Sequence, residues 1–264
     1  MALPAGLAVL AALAEPLPTV SSDAPDQTNG TFTVAPGAWQ MELGLDASLP
    51  GSELPEGELP LRIPTTLRLG LSPRVELRAF DGERLFHRDV RGEASGETSF
   101  GFKIRFDDPR PDAPHRPLFG LQPYVAFPTV ELLEHTESLA LGATLLWAQP
   151  VTSWLAIDIN LGAEIAYDRD APPVSSFASM SAQAFASARW LPYAEIYADI
   201  PWRERSALEV GTDAGFVVVA NRRLAFNLAG RATIVAPARS YGVLAGLAVL
   251  LADGTRWRRF IASR

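Results

Sequence analysis

The 264-residue sequence contains no cysteine, which excludes disulfides, zinc–thiolate sites, iron–sulfur clusters and cysteine nucleophiles. Positive charge is also scarce. The 23 Lys and Arg residues stand against 30 Asp and Glu residues, for a formal net charge of −7. Because no basic excess offsets phosphate repulsion, we do not expect nucleic acid as a partner.

Long apolar runs are missing after the N-terminus. The longest covers residues 242–252, whereas a transmembrane helix needs about 20 predominantly apolar residues. The sequence also lacks a P-loop and a G-x-G-x-x-G motif, and we predict no cofactor. Transmembrane strands would escape this search, because their inward polar residues dilute each apolar strand.

The opening stretch, MALPAGLAVLAALAEPLP, has the pattern of a secretory signal peptide. An apolar core at residues 7–13 overlaps the small residues Ala12 and Ala14, so the pattern predicts a signal peptide at 1–14 with cleavage after Ala14. The alternative is an apolar N-terminal helix. Pro16 and Pro18 weaken it, because either proline would end a helix at this point.

Most of the remaining chain alternates between apolar and polar residues, which is the pattern of β-strands with one apolar face. In the first strand, Trp39 and Met41 alternate with Gln40 and Glu42. The alternation predicts about twelve strands, at residues 38–47, 61–71, 74–81, 99–106, 119–127, 138–149, 154–168, 177–190, 193–200, 207–219, 223–233 and 241–251. An even strand number is the rule for bacterial single-chain barrels.

The predicted connections alternate between short and long. Turns at 72–73, 150–153, 191–192 and 221–222 are short, and the intervening connections are mostly longer. This alternation is typical of periplasmic turns and extracellular loops. The exception is 107–117, a long connection where a short turn is expected, so it is either an elaborated turn or a misplaced strand.

We therefore predict an all-β protein, an antiparallel transmembrane β-barrel of about twelve strands in the bacterial outer membrane. The predicted organisation is a signal peptide at 1–14, a periplasmic N-terminal segment at 15–37, the barrel at 38–252 and a C-terminal tail at 253–264. Aromatic residues near the strand ends, among them Tyr124, Trp154, Trp190 and Tyr193, fit interfacial girdles. A secreted soluble β-sandwich that binds a partner is the alternative that alternation alone leaves open.

The stretch DAPDQT followed by VAPGAWQMELG resembles the N-terminal signature of a family of outer-membrane barrels, transporters linked to the MetA pathway of phenol degradation. The matching residues are Asp23, Pro25, Asp26, Thr28, Pro36, Gly37, Gln40 and Glu42. Residues 96–106 and 121–129 resemble the family's fourth and fifth strands. The resemblance implies a porin-like transporter of small solutes, with hydrophobic or aromatic ones suggested by the family name. It also implies contact with outer-membrane lipid and with the barrel-assembly machinery.

The predicted inward charges fall into two groups. The expected lumen-lining basic residues are Arg62, Arg68, Arg78, Lys103 and Arg105, and one acid, Glu76, lies among them. The expected lumen-lining acidic residues are Glu42, Asp158, Glu164, Glu195, Asp199, Glu209 and Asp213. In a twelve-strand ring most of the two groups would face each other. They would either create a field that selects solutes or pair and fill the lumen of a non-conducting barrel.

The stretch at 21–30 precedes the first strand, and one interpretation is a strap across the periplasmic mouth, with Asp23 and Asp26 near the basic residues. Enzymatic chemistry has little support, and we predict that the protein is not an enzyme. An outer-membrane hydrolase would need a serine or acid beside a histidine. The three histidines, His87, His115 and His135, all fall in predicted loops. The acidic stretch 107–115 matches no calcium loop, and we predict no metal site.

Overall fold

The computed structural model describes residues 20–23, 28–50, 61–86, 94–128, 139–166, 174–201, 208–235 and 238–254. The strands are β1 Ala38–Pro50, β2 Leu61–Arg62, β3 Thr65–Ser72, β4 Val75–Phe86, β5 Ala94–Arg105, β6 Leu118–Pro128, β7 Ala140–Pro150, β8 Leu155–Ala166, β9 Val174–Ala184, β10 Trp190–Pro201, β11 Glu209–Asn221, β12 Leu224–Val235 and β13 Ala238–Asp253. Within these ranges, no helix has the length and apolar character needed to cross a bilayer.

The strands form one closed antiparallel barrel. Apart from β2 and β3, each strand pairs with the next, and β13 closes the ring against β1 from the pair Ala38–Asp253 to the pair Pro50–Ser240. The short strands β2 and β3 share one position between β1 and β4. Pro64 interrupts them, since proline has no N–H for the ladder, and its carbonyl accepts a bond from the Gly44 amide at 2.7 Å. The predicted twelve-stranded barrel is confirmed.

The side chains alternate between an apolar exterior and a polar interior. Leu141 and Ile196 on the outside are more than half exposed, whereas Lys103 and Asp213 on the inside are fully buried. In a soluble protein this arrangement would be inverted, because exposing apolar surface to water is unfavourable. A barrel with this distribution suits a bilayer, whose acyl chains cover the apolar belt.

The strand ends confirm the alternation of connections and correct one of them. At the end where β1 starts, which we call the short-turn end, 73–74, 151–154, 185–189 and 222–223 are short. The predicted turn at 191–192 is wrong, because Trp190–Pro192 already pairs with β11. The turn lies at 185–189, where the Ser187 hydroxyl accepts hydrogen bonds from the Arg189 and Trp190 amides.

The connection 106–117 also lies at the short-turn end, so it is an elaborated turn and no strand is missing. Its acids pair with arginines: Asp108 contacts Arg74 at 2.6 Å and Arg105 at 3.1 Å, and Asp107 contacts Arg116 at 3.0 Å. Hydrogen bonds from Arg74 hold the pKa of Asp108 below its ordinary value.

The expected aromatic girdle needs one correction. Trp154 and Trp190 are about half exposed near the strand ends, as a girdle requires. Tyr193 is instead buried, and Tyr124 turns to the interior, where its hydroxyl donates to Glu164 at 2.7 Å. The signal peptide, Pro25, Asp26, His87, His135 and the tail from residue 255 lie outside the described residues.

Candidate functional site

The segment before β1 runs through the barrel interior. We call its described residues, 20–23 and 28–34, the strap. At one end, the Val20 amide donates to the Arg222 carbonyl at 2.9 Å, beside the β11–β12 turn. The Val20 side chain is buried in an apolar cluster formed by Tyr193, Val217, Ala225, Ala229, Leu244 and Ala248. The strap therefore has an apolar anchor on the β10–β13 side of the barrel.

Two residues of the family motif hold the next part of the strap. The Gln40 amide group donates to the Ser21 carbonyl at 2.5 Å and accepts from the Ser21 amide at 3.2 Å. The Glu42 carboxylate accepts from the Asp23 amide at 3.0 Å. Both side chains are buried and come from inward positions of β1. Because these bonds reach backbone groups, they fix the path of the strap whatever its side chains are.

The Asp23 carboxylate is surrounded by three cations, Arg68, Arg78 and Lys103, which we call the cation cluster. One carboxylate oxygen, Oδ2, lies 2.5 Å from Lys103 Nζ, 2.7 Å from Arg78 Nη1 and 3.1 Å from Arg68 Nη1. None of the three cations is more than 2% exposed. They come from the neighbouring strands β3, β4 and β5, whose register sets Arg68 opposite Arg78, and Lys103 opposite Glu76, two residues from Arg78.

Two wall carboxylates complete the neutralisation of the cation cluster. Glu76 binds Arg68 through two nearly parallel hydrogen bonds of 2.8 and 2.9 Å, and Glu42 accepts from Arg68 at 2.7 Å. Glu76 also accepts from the Val34 amide at 2.7 Å. Three cations thus face three carboxylates, of which only Asp23 belongs to the strap. Removing one partner from such a buried network leaves an uncompensated charge.

The strap also reaches the opposite side of the barrel. Thr28 donates to the Ser179 hydroxyl of β9 at 2.7 Å. The Asn29 carbonyl accepts from Asn160 of β8 at 3.1 Å, and its side-chain oxygen accepts from Arg78 of β4 at 3.3 Å. A single residue therefore touches strands on widely separated parts of the ring. At this level the strap spans the barrel interior.

The environment of Asp23 keeps it ionised. Burial alone would raise its pKa, but Arg68, Lys103 and Arg78 together hold the pKa well below its ordinary value. Asp23 is thus a permanent counter-ion of the cation cluster at neutral pH.

The other predicted site residues are spread along the barrel. Arg105 does not join the cation cluster; it lies at the short-turn end on the Pro73 carbonyl, at 2.9 Å, and on Asp108. Arg62 lies near Glu209, which also contacts Tyr197. The remaining acids lie at five separate places. Asp158 is within reach of Asp23 and Lys103, Glu164 accepts from Tyr124, and Asp213 pairs with Arg231. Glu195 is fully buried, and Asp199 lies near Glu209.

A second ion-pair network joins the acidic side to β1. Arg231 contacts Asp213 and Asp46, each at 2.8 Å, and its guanidinium lies 5.4 Å from the Tyr197 ring centre. The sequence analysis places Glu76 among the inward basic residues but includes neither Glu76 nor Asp46 in the expected lumen-lining acids. The alternation along the strands could have identified both acids, because it places Asp46 on the same face as Glu42 and Glu76 on the same face as Arg78. Each side of the barrel therefore carries both signs of charge.

A cavity of about 210 Å³ lies nearer the other end of the barrel. Its lining includes Tyr124, Thr144, Glu164, Ser175, Phe177 and Asp199. Glu164 and Asp199 lie near the last residues of β8 and β10, and this places the cavity beyond the strap. The interior of the described barrel thus has a cavity with acidic lining residues and, nearer the short-turn end, the strap and the cation cluster.

No protein-family model matches the chain, and no curated protein matches it in sequence. Solved structures do match it. The COG4313 outer membrane channel from Pseudomonas putida F1 aligns with a TM-score of 0.62 at 9% identity, covering 87% of this chain and all of that one. The NanC porin aligns with a TM-score of 0.55 at 6% identity, covering 79% of this chain and 98% of that one.

The KdgM porin, solved in complex with disordered oligogalacturonate, has a TM-score of 0.50 at 7% identity, with coverage of 79% and 98%. This chain has the fold of outer-membrane channels. Its closed barrel and apolar belt place it in the bacterial outer membrane. These neighbours are channels and porins rather than enzymes, and identities this low carry the fold alone.

Proposed function

We propose that the protein is an outer-membrane channel for small solutes and that the strap closes it at the level of the cation cluster. The observation that carries the proposal is the placement of charge in a closed barrel. Arg68, Lys103 and Glu195 are buried inside, whereas the exterior is apolar. In this orientation the short-turn end faces the periplasm, as short turns do in outer-membrane barrels. The strap then belongs to a periplasmic N-terminal segment.

The proposed path begins in the acidic cavity and continues past the strap. Its lining acids are Asp158, Glu164, Glu195, Asp199, Glu209 and Asp213, and its lining bases are Arg62, Arg68, Arg78 and Lys103, with Arg105 at the exit. A path with both signs of charge favours solutes with polar or ionised groups. The link to hydrophobic or aromatic solutes rests only on the family name. The link to the phenol-degradation family rests on the N-terminal motif and on the resemblance of residues 96–106 and 121–129.

The proposal requires the strap to move, and its contacts leave room for that. Thr31 Oγ1, Arg78 Nε and Asn160 Oδ1 are buried without a hydrogen-bond partner among the described residues. Each unsatisfied buried group costs about 1–3 kcal/mol. Hydration of these atoms would therefore offset part of the cost of displacing the strap.

Single-channel recording in planar bilayers tests the proposal. We expect small or rare currents from the wild-type protein and larger, sustained currents after deletion of residues 21–30. Asp108→Ala is the matched control, because it removes a carboxylate from an ion pair at the same end but outside the strap. A folded deletion variant without any current, with folding shown by heat-modifiability on a gel, would contradict a channel.

That outcome would favour the second candidate, a non-conducting structural barrel. The observation in its favour is the extent of charge pairing inside, because Arg68 and Arg231 each bind two or more carboxylates. Measurement of the deletion variant separates the two. If the strap closes a channel, the deletion variant carries a current. If the wall side chains alone fill the barrel, the deletion variant carries none.

A further inference from the structure

The Asp23 carboxylate occupies a site built from the three wall cations, which also donate weaker or single bonds to the strap at Ser21, Asn29 and Phe32. The backbone of the strap is held by Gln40, Glu42 and Glu76, and one end is anchored by Val20 in its apolar cluster. Asp23 alone places a described charged side chain of the strap on the barrel wall. The Asp23 carboxylate neutralises one positive charge of the cation cluster that the wall carboxylates leave uncompensated.

The charge balance defines what this site accepts. Glu42 and Glu76 neutralise two of the three cations of the cluster, and Asp23 neutralises the third. When the strap leaves, the cation cluster and its two paired carboxylates keep a net charge of about +1 (three cations less two carboxylates), with Asp158 a further acid within reach of Lys103. Three N–H donors then remain aimed at one point. Guanidinium and ammonium groups converging on one oxygen suit a carboxylate, because charge-assisted hydrogen bonds are short and strong.

We propose that the cation cluster is a binding site for the carboxylate group of a transported solute, and that Asp23 is the channel's own tethered substitute for that group. This inference rests on the proposed function, since the site opens only when the strap moves. A carboxylate-bearing solute would compete with Asp23 for Lys103, Arg78 and Arg68. Solutes of this class would thus both displace the strap and bind along the path that it uncovers.

The test is chemical rescue of an Asp23→Ala channel by acetate. Asp23→Ala should conduct more than the wild-type protein, because the strap loses its ionic contact. Millimolar acetate should then lower the current by about tenfold, which corresponds to about 1.4 kcal/mol, by refilling the site. Acetamide, a neutral molecule of the same shape, should have no such effect, and chloride added at the same ionic strength controls for screening.

Two further variants make the result specific. In Asp23→Ala/Lys103→Met the acetate effect should disappear, since the net positive charge of the cation cluster is gone. Asp23→Ser, which also leaves the space of the carboxylate empty, replaces Asp23→Ala if the alanine variant does not fold. An equal response to acetate and acetamide in a conducting variant would overturn the carboxylate site and leave the channel intact. Silence of every folded variant, including the 21–30 deletion, would instead refute the proposed function.

Discussion

Asp23 and Lys103 are 80 residues apart in the sequence, and their side chains meet at 2.5 Å inside the barrel. This pair joins a segment that belongs to no strand to the wall of a closed sheet. Its partners on the same wall, Arg68 and Arg78, make the contact part of a buried network. The energy of the network therefore bears on the position of the strap as well as on the stability of the barrel.

The first prediction concerns the coupling of this pair. A double-mutant cycle with Asp23→Asn and Lys103→Met should show a coupling free energy of about 2 kcal/mol, because either single change leaves a buried charge that the double change removes. Urea unfolding of the barrel in lipid vesicles measures it. The exposed pair Arg74–Asp108 is the control and should couple far more weakly, since solvent screens it. Additive effects at Asp23 and Lys103 would show that the pair does not hold the strap.

The second prediction separates steric fit from charge. Gly70 lies where a Cβ atom would collide with the backbone carbonyl oxygens of Val34 and Ala35. Gly70→Ala should therefore push the end of the strap from the wall, weaken the bond from the Val34 amide to Glu76, and raise the single-channel current with no change of charge. Gly230→Ala is the matched control, because nothing lies within 4 Å of its added Cβ. Equal currents from both variants would argue against a strap held at this point.

The third prediction concerns pH. Asp23 has a depressed pKa in the folded protein, so its stabilising effect is present above the ordinary value of 3.8 and is lost only as pH falls through the lower, folded value. We expect the contribution of Asp23 to channel closure to stay constant from pH 7 to about 4 in an Asp158→Asn background, because Asp158 is a further acid within reach of Asp23. Recordings of Asp158→Asn are compared with those of Asp23→Asn/Asp158→Asn, which cannot titrate at either position. A difference between the two that vanishes near pH 6 would contradict an ion-paired Asp23.

The barrel could be predicted from the sequence because apolar and polar residues alternate along each strand and so identify its outer and inner faces. Trp39 and Gln40 already separate outside from inside, and the same alternation recurs in every strand. The sequence predicts the turn at 191–192 rather than at 185–189, because proline is typical of turns. In the structure the Ser187 hydroxyl organises the turn, and Pro192 lies in β10, where it pairs with Phe216 of β11.

The site was harder to predict because its contacts are not local. Alternation identifies Arg68, Arg78 and Lys103 as inward residues, and the motif places Asp23 nearby. It does not show that Asn29 touches both β4 and β8, or that Val20 anchors beside Arg222. Those contacts depend on ring closure and on the width of the barrel, which strand number and shear determine together. Charges on the same side of the barrel also form ion pairs, such as Arg231 with Asp46. Counting the inward charges of each strand does not reveal these pairs.

The fourth prediction uses a covalent lock on the strap. Thr28 and Ser179 place their hydroxyl oxygens 2.7 Å apart, which brings cysteines at these positions within reach of a disulfide. The chain has no cysteine of its own, so a bond formed in Thr28→Cys/Ser179→Cys is unambiguous. Placed in the Asp23→Ala background, it ties the loosened strap to the far wall.

Single-channel recording of this triple variant tests the central claim most directly, that the strap lies across the barrel and closes it. The account predicts almost no current while the disulfide is intact. Addition of a reductant to the same bilayer should raise the current to that of the Asp23→Ala channel. The same current before and after reduction, with disulfide formation verified by mass spectrometry, would contradict the claim that the strap closes the barrel.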